Sequence, residues 1–190
     1  MTGYAFCGSF CTLADSTAQL SALLAAGIEI QPIMSEIAYE TDTRFGKAEM
    51  WKKRIREMCG RDIIHTIPEA EPLGPQTPLD MLIISPCTGN TLAKLACGIT
   101  DSPVCMAAKA HMRTERPLVI ALASNDAMSA NLKNIGTLLT RKSVYFVPLR
   151  QDDPLRKPYS LVADFTKLPE AVRAAQKGVQ LRPLFLNVDS

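Results

Sequence analysis

The sequence is poor in the residues that build zinc sites. It contains only two histidines, His65 and His111, and its six cysteines include no C-x-x-C pair. Structural zinc sites need several closely spaced Cys or His ligands, so this pattern argues against one. The first residues also lack the basic segment of a signal peptide. We therefore expect reduced cysteines that are mostly buried.

A strong net charge and long hydrophobic runs are also missing. The formal net charge is +2 at pH 7. No apolar run approaches the roughly 20 residues that a membrane-spanning helix needs. We therefore expect neither nucleic acid nor a membrane as a partner, and we expect a cytoplasmic location.

Two motifs of common enzyme classes do not occur. Without G-x-G-x-x-G the chain lacks the dinucleotide-binding fingerprint, so we do not expect it to bind NAD(P) itself. Without G-x-S-x-G, and with no Ser–His–acid spacing, it does not match the serine hydrolases.

The order of apolar runs predicts an α/β fold. Strands are predicted over residues 4–7, 28–34, 82–85, 118–123 and 144–147, and helical patterns alternate with them. This alternation indicates a doubly wound parallel sheet, Rossmann-like or flavodoxin-like, in three layers with helices on both faces. We expect one domain over residues 1–190. Residues 68–78 are a Pro-rich loop without regular structure, 150–160 a polar loop, and 181–188 an apolar tail.

Residues 82–95 join a predicted strand to a predicted helix. The apolar run ends at Ser85, turn residues follow, and a helical pattern begins near Thr91. Such a tip presents free N–H groups and the positive end of a helix dipole, which favour an anion such as phosphate. Ser85, Thr88, Asn90 and Thr91 add side-chain donors. A capped turn without a ligand is the alternative interpretation of this stretch alone.

Other predicted strands end in similar residues. Gly8, Ser9 and Phe10 follow the first strand, Ser35 follows the second, and Asn125 follows the fourth. For Ser35 a helix cap is the simpler interpretation. In a parallel sheet these ends share one edge, where ligands bind. Hydroxyl and amide groups there suit a phosphate-bearing cofactor better than a catalytic triad.

Residues 85–94 carry a family resemblance. Their sequence, Ser-Pro-Cys-Thr-Gly-Asn-Thr-Leu-Ala-Lys, resembles the Pro-Ala-Ser-Ala-Asn-Thr flavin loop of the flavoprotein family of homo-oligomeric flavin-containing cysteine decarboxylases. Asn125 and Met128 resemble the end of its P-x-M-N-x-x-M motif, and His65 stands where related decarboxylases place an active-site histidine. The resemblance covers essentially the whole chain, and residues 71–75 and 151–154 look specific to one branch of the family.

The resemblance implies FMN as a cofactor and makes His65 and Asn125 the candidate catalytic residues. The residues implied in FMN binding are Gly8, Ser9, Phe10, Ser35, Ser85, Thr88, Gly89, Asn90, Thr91, Asn125 and Met128. For His65 the alternative is a structural hydrogen-bonding residue. For Asn125 the alternative is a helix cap bonded to the N–H of Ala127 or Met128.

The branch further implies an oxidoreductase-type subunit. Its reaction makes pyridine-2,6-dicarboxylate from a cyclic dihydrodipicolinate-type precursor in the mother cell of a sporulating bacterium. NAD(P) enters only through a separate nicotinamide-binding A subunit, and the chain forms a trimer-based homo-oligomer. A dicarboxylate substrate requires cations, and the candidates are Lys109, Arg113, Arg156 and Lys157.

Three departures from the family pattern separate this chain from the decarboxylases and flavin prenyltransferases of the family. The P-x-M part of the second motif is replaced by Leu122, Ala123 and Ser124. The Gly-Ser-Cys-Gly flap of the decarboxylases is not visible in the sequence. Ala123 stands at the position where flavin prenyltransferases share an arginine. The alternatives to a catalytic synthase subunit are a non-catalytic flavin-binding or scaffold subunit and a flavin-dependent decarboxylase.

Overall fold

The computed structural model describes residues 1–187, which form a seven-stranded sheet between two layers of helices. Five strands are parallel in the order β2-β1-β3-β4-β5. They are β1 (Thr2–Phe6), β2 (Ile30–Met34), β3 (Met81–Thr88), β4 (Leu118–Ser124) and β5 (Val144–Phe146). This is the flavodoxin-like order, and it confirms the predicted doubly wound sheet.

Two short strands extend this sheet in the antiparallel sense. Strand β7 (Leu161–Ala163) pairs with the end of β4, and β6 (Leu149–Arg150) pairs with β7. The sequence did not predict them, because strands of two or three residues are too short to show a periodic pattern. The C-terminal tail joins this region, since the Leu149 N–H donates to the Leu184 carbonyl at 2.8 Å. Val188, the last residue of the predicted tail, lies outside the described residues.

Helices cover both faces of the sheet. On one face α1 (Leu13–Ala25) contacts α3 (Ala48–Cys59) and α8 (Leu168–Gln176). On the other face α6 (Pro103–Met112) contacts α5 (Gly89–Cys97) and the short α4 (Ile67–Ala70), and α5 contacts α7 (Leu132–Leu139). Helix α2 (Glu36–Glu40) follows β2 directly. The strands between these layers are almost entirely buried, as expected of a parallel sheet covered on both faces.

Strand β3 is longer than predicted. It continues past Ser85 and a cis Ser85–Pro86 peptide bond to Thr88, with an irregular register to β4 between Ile84 and Cys87. Pro86 has no N–H for the sheet, which explains why a register shift occurs there. Its carbonyl still accepts from the Cys7 N–H at 3.1 Å. Helix α5 follows β3 directly and begins at Gly89, two residues before the predicted start.

Two further boundaries differ from the predictions. The Pro-rich segment begins with a helical turn, α4, because Pro68 lies in the first turn, where a missing N–H has no cost, and Thr66 and Glu69 form a capping box. Helix α7 begins at Leu132 and not at Met128, since residues 125–131 form turns. Within residues 1–187, no helix is long and apolar enough to cross a membrane.

Candidate functional site

The candidate site is a cleft at the carboxyl ends of β1, β2 and β3. From β1 the chain continues to β2 on one side and then crosses to β3 on the other side of β1. The gap between β1 and β3 is therefore the topological switch point, where open α/β sheets bind ligands. The cleft has a volume of about 210 Å³. Its lining residues are Gly8, Ser35, Glu36, Ile37, Thr88, Asn90, Thr91, Lys94 and Ser102.

The β3–α5 tip supplies the donors of this cleft. Thr88 is the N-cap of α5: its Oγ1 accepts from the Thr91 N–H at 3.2 Å and donates to Thr91 Oγ1 at 3.1 Å. The N–H groups of Gly89 and Asn90, in the first turn of α5, have no partner within the helix. The Asn90 side chain is exposed. The tip therefore offers N–H donors of the kind that bind anions at helix N-termini.

At two of these tips a glycine lies very close to neighbouring side chains. A Cβ on Gly89 would lie 2.5 Å from Ser124 Oγ and 2.7 Å from Asn131 Nδ2. A Cβ on Gly8 would lie 2.9 Å from Ile37 Cγ2, at the cleft wall. Gly89 thus lets the start of α5 approach the end of β4, and Gly8 keeps the cleft open.

The cleft carries one cation that the sequence analysis missed. Lys94 Nζ lies 2.8 Å from Asp101 Oδ1, and this hydrogen bond raises the pKa of the Lys94 ammonium, which therefore stays charged. Lys94 is four residues after Asn90, so helical spacing could have placed it on the same face. Glu36 also lines the cleft, and its charge opposes an anion there. Ser35 caps α2 through its Oγ, which accepts from the Ala38 N–H at 3.3 Å.

Three predicted donors do not reach the cleft. Ser85 is fully buried, and its Oγ lies 2.9 Å from Ser16 Oγ beneath the sheet edge, so the expected phosphate contact of Ser85 is wrong in geometry. The reason is that β3 continues beyond Ser85. Ser9 Oγ accepts from Thr12 Oγ1 at 2.9 Å, and neither Ser9 nor Phe10 lines the cleft within residues 1–187.

Asn125 and Met128 lie at the same sheet edge but beyond the cleft, at the end of β4. Asn125 is exposed because β4 ends at Ser124. Its Oδ1 accepts from Ser160 Oγ at 3.4 Å, and the Met128 N–H donates to the Tyr159 carbonyl at 2.9 Å. Asn125 is therefore not the predicted cap, and the segment 150–160 covers this tip.

His65 stands beside the end of β2. Its ring stacks on Tyr39 with centroids 3.9 Å apart, and its Nδ1 lies 3.2 Å from the Ile63 carbonyl oxygen and 3.4 Å from Glu69 Oε2. Glu69 is fixed because Oε2 also accepts from the N–H groups of His65 and Thr66. These contacts hold the ring by its Nδ1 side. The Thr66-Ile-Pro-Glu69 capping box could have identified Glu69 from the sequence.

The remaining titratable candidates are placed away from the cleft. Cys87 is fully buried, and its contact with the Cys7 thiol, together with burial, raises the pKa of the Cys87 thiol, as expected of a core residue. His111, in the last turn of α6, is fully buried, burial lowers its pKa, and its Nε2 lies 2.9 Å from the Pro117 carbonyl oxygen. Lys157 pairs with Asp152 at 2.7 Å.

Comparison with known proteins gives a consistent result. The family described as Flavoprotein matches residues 5–171. The B subunit of dipicolinate synthase from Bacillus subtilis (strain 168) is 41% identical over 184 residues, which are 97% of this chain and 92% of that protein. The branch indicated by residues 71–75 and 151–154 is that of the dipicolinate synthase B subunits, and this similarity is confirmed.

Solved structures agree with this. The crystal structure of the dipicolinate synthase B subunit from Bacillus halodurans C matches with a TM-score of 0.90 and 39% identity, over 98% of this chain and 95% of that one. The FMN-dependent cysteine decarboxylase SpaF matches with a TM-score of 0.68 and 23% identity, over 93% of this chain and 95% of that one, and shares the fold.

Proposed function

The chain belongs to the Flavoprotein family, and from this premise we propose that it binds FMN and acts as the B-type subunit of a dipicolinate synthase. The proposed reaction forms pyridine-2,6-dicarboxylate from a cyclic dihydrodipicolinate-type precursor, with a nicotinamide-binding A subunit as partner. The observation that carries the proposal is the cleft at the β1/β3 switch point, where helix N–H groups, hydroxyls and Lys94 converge.

The residues of the cleft fit the phosphate end of FMN. Gly8 provides a wall without a side chain, the first N–H groups of α5 are free donors, and Lys94 adds a positive charge. The Thr88 and Thr91 hydroxyls can redirect their mutual hydrogen bond toward a phosphate oxygen. A volume of about 210 Å³ suits a phosphate group and the atoms next to it.

In the proposed reaction FMN, when bound, supplies an acceptor or donor of hydride equivalents. This chain's own residues bind and orient. Asn125, exposed at the end of β4, can donate its NH₂ to a carboxylate or a ring carbonyl. His65, held on its Nδ1 side, has Nε2 left to exchange a proton. His65 and Asn125 are each outside the lining of the phosphate cleft.

We also propose that the chain assembles with copies of itself, in units of three. What supports this is a group of apolar side chains exposed near the end of β2: Ile37, Phe45 and Met50 are 60%, 41% and 48% exposed. Contiguous exposed apolar surface is typical of protein interfaces. Ile37 also lines the cleft, so an assembled neighbour on this surface would come close to the cleft.

The proposal is tested by purifying the chain and recording its visible absorbance after incubation with FMN, then assaying product formation with and without the A subunit. We expect a flavin spectrum after removal of free FMN, and product only when both subunits are present. A colourless protein that still restores activity of the A subunit would support the scaffold alternative. Carbon dioxide release from a peptidyl cysteine would support the decarboxylase.

The variant Asn125→Asp tests the proposed role of Asn125 at the end of β4. Asp keeps an oxygen for Ser160, so the free energy of unfolding is expected to change by only about 0.5 kcal/mol or less. The NH₂ donors are lost and a negative charge is added. Since the side chain is exposed, we expect the lower end of the range for a hydrogen bond to a charged group, about 1.5 kcal/mol or roughly tenfold in kcat/KM of the reconstituted synthase. Full activity would remove Asn125 from the site.

A further inference from the structure

A second concave surface lies on the other side of the segment that joins α5 to α6. It is a groove of about 270 Å³ between the last turn of α5, α6 and the end of α7. Its lining residues are Leu95, Gly98, Ile99, Thr100, Cys105, Lys109, Met112, Arg113 and Arg141. We call this surface the basic groove.

The floor of the basic groove is apolar. Leu95 and Cys105 are buried beneath it, and Met112 is half-buried at its side. Ile99 is 47% exposed on its edge. A flat apolar ligand face can therefore be covered on one side by protein, which is the usual construction of a small-molecule site.

Positive charge surrounds this floor without compensation. Lys109 lies in α6, and Arg113, four residues later, is the C-cap of that helix in the αR conformation, so both project from one side of it. Within residues 1–187 neither forms an ion pair, and no Asp or Glu lines the groove. Arg141 donates one Nη2 bond to the Ala96 carbonyl at 3.1 Å, which fixes its guanidinium at the rim and leaves other N–H groups to donate.

The acidic residue next to the basic groove already has an ion-pair partner. Asp101 lies two residues after Ile99, but its carboxylate pairs with Lys94 at 2.8 Å. Lys94 and Ser102 line the flavin cleft, whereas Leu95, Gly98 and Thr100 line the basic groove. The two sites therefore share the segment 98–102 as a common wall.

We propose that the basic groove binds a small organic dianion: a planar apolar ring that carries two carboxylates. The ring covers Leu95 and Ile99, and the carboxylates accept from Lys109, Arg113 and Arg141. The substrate and product of the proposed function belong to this chemical class, and only that identification rests on the proposed function.

The test is calorimetric titration of the full chain with benzene-1,3-dicarboxylate and with pyridine-2,6-dicarboxylate. The first has the same carboxylate spacing without the chelating ring nitrogen, so it excludes an effect of trace metal. We expect both to bind, benzoate to bind more weakly, and the double variant Lys109→Ala/Arg113→Ala to lose at least about tenfold in affinity. The matched control Lys133→Ala/Lys177→Ala removes two exposed charges elsewhere and is expected to bind like the wild type.

Three results would overturn the inference. The first is equal affinity of the wild type and Lys109→Ala/Arg113→Ala for the dianion. The second is competitive displacement of the dianion by FMN, which would place the dianion in the cleft. The third is a groove variant that changes the oligomer mass in light scattering without weakening dianion binding. The last would make the groove a protein interface. FMN titration of the same samples separates the two proposals. If the chain binds FMN but no dianion, the proposed function stands and this inference fails. If it binds the dianion but not FMN, this inference stands and the proposed function fails.

Discussion

Asn90→Asp is expected to weaken FMN binding by about 100-fold while leaving the protein at least as stable as the wild type. Asn90 lies in the first turn of α5 at the cleft, and its side chain is exposed. A carboxylate there lies near the phosphate. Two unit charges about 5 Å apart at an effective dielectric constant of about 20 repel by about 3 kcal/mol, which is about 100-fold in affinity.

The effect on the fold has the opposite sign. No acid is present in the first turn of α5, so Asp at position 90 interacts favourably with the helix dipole. We expect the free energy of unfolding to rise by about 0.3–1 kcal/mol. Opposite changes in stability and affinity cannot come from general damage to the protein.

The measurement is a fluorescence titration of flavin with wild type and Asn90→Asp, alongside urea unfolding. Riboflavin is the control ligand because it lacks the phosphate, and its affinity is expected to be the same for both proteins. The difference for FMN is expected to shrink at high salt. If FMN and riboflavin respond alike to Asn90→Asp, the phosphate does not lie at the β3–α5 tip.

Gly89→Ala is expected to destabilise the fold by about 1–3 kcal/mol, although alanine has the higher helix propensity. The added Cβ meets Ser124 Oγ at 2.5 Å and Asn131 Nδ2 at 2.7 Å. Ser124 Oγ accepts from the Asp126 N–H at 3.2 Å. Asn131 is buried, and its Oδ1 accepts from Asn134 Nδ2 at 2.9 Å. Relief of the contact moves the start of α5, so FMN affinity is expected to fall as well.

Gly136→Ala is the matched control for this prediction. Gly136 lies in α7, and apart from its chain neighbours and the backbone of its own helix an added Cβ there meets no atom within 4 Å. The same substitution at position 136 is therefore expected to raise the free energy of unfolding, by up to about 1 kcal/mol. Gly89→Ala/Ser124→Ala is expected to recover part of the loss by removing one of the two close atoms. Urea midpoints for Gly89→Ala at or above that of the wild type would contradict the close approach.

The sequence by itself determined the class of fold and the position of the candidate cleft. Apolar runs that alternate with amphipathic helices are a local signal, and they predicted the parallel strands and the longer helices in the right order. Because parallel strands end at one edge, the residues after β1, β2 and β3 could be assigned to one site from their order in the chain alone. Gly8, Ser35, Thr88, Asn90 and Thr91 were predicted in this way, and all of them line the cleft.

Only the tertiary structure decided where each side chain points. Ser85 has the sequence pattern of a strand end, but the register shift at Pro86 carries β3 onward and buries Ser85 against Ser16. The Lys94 ammonium is held by its ion pair with Asp101, and Asn125 is exposed because β4 ends at Ser124. Strands β6 and β7 exist because β4 offers them a partner. Register, close approach and pairing depend on residues distant in the chain, and local sequence patterns carry no record of such contacts.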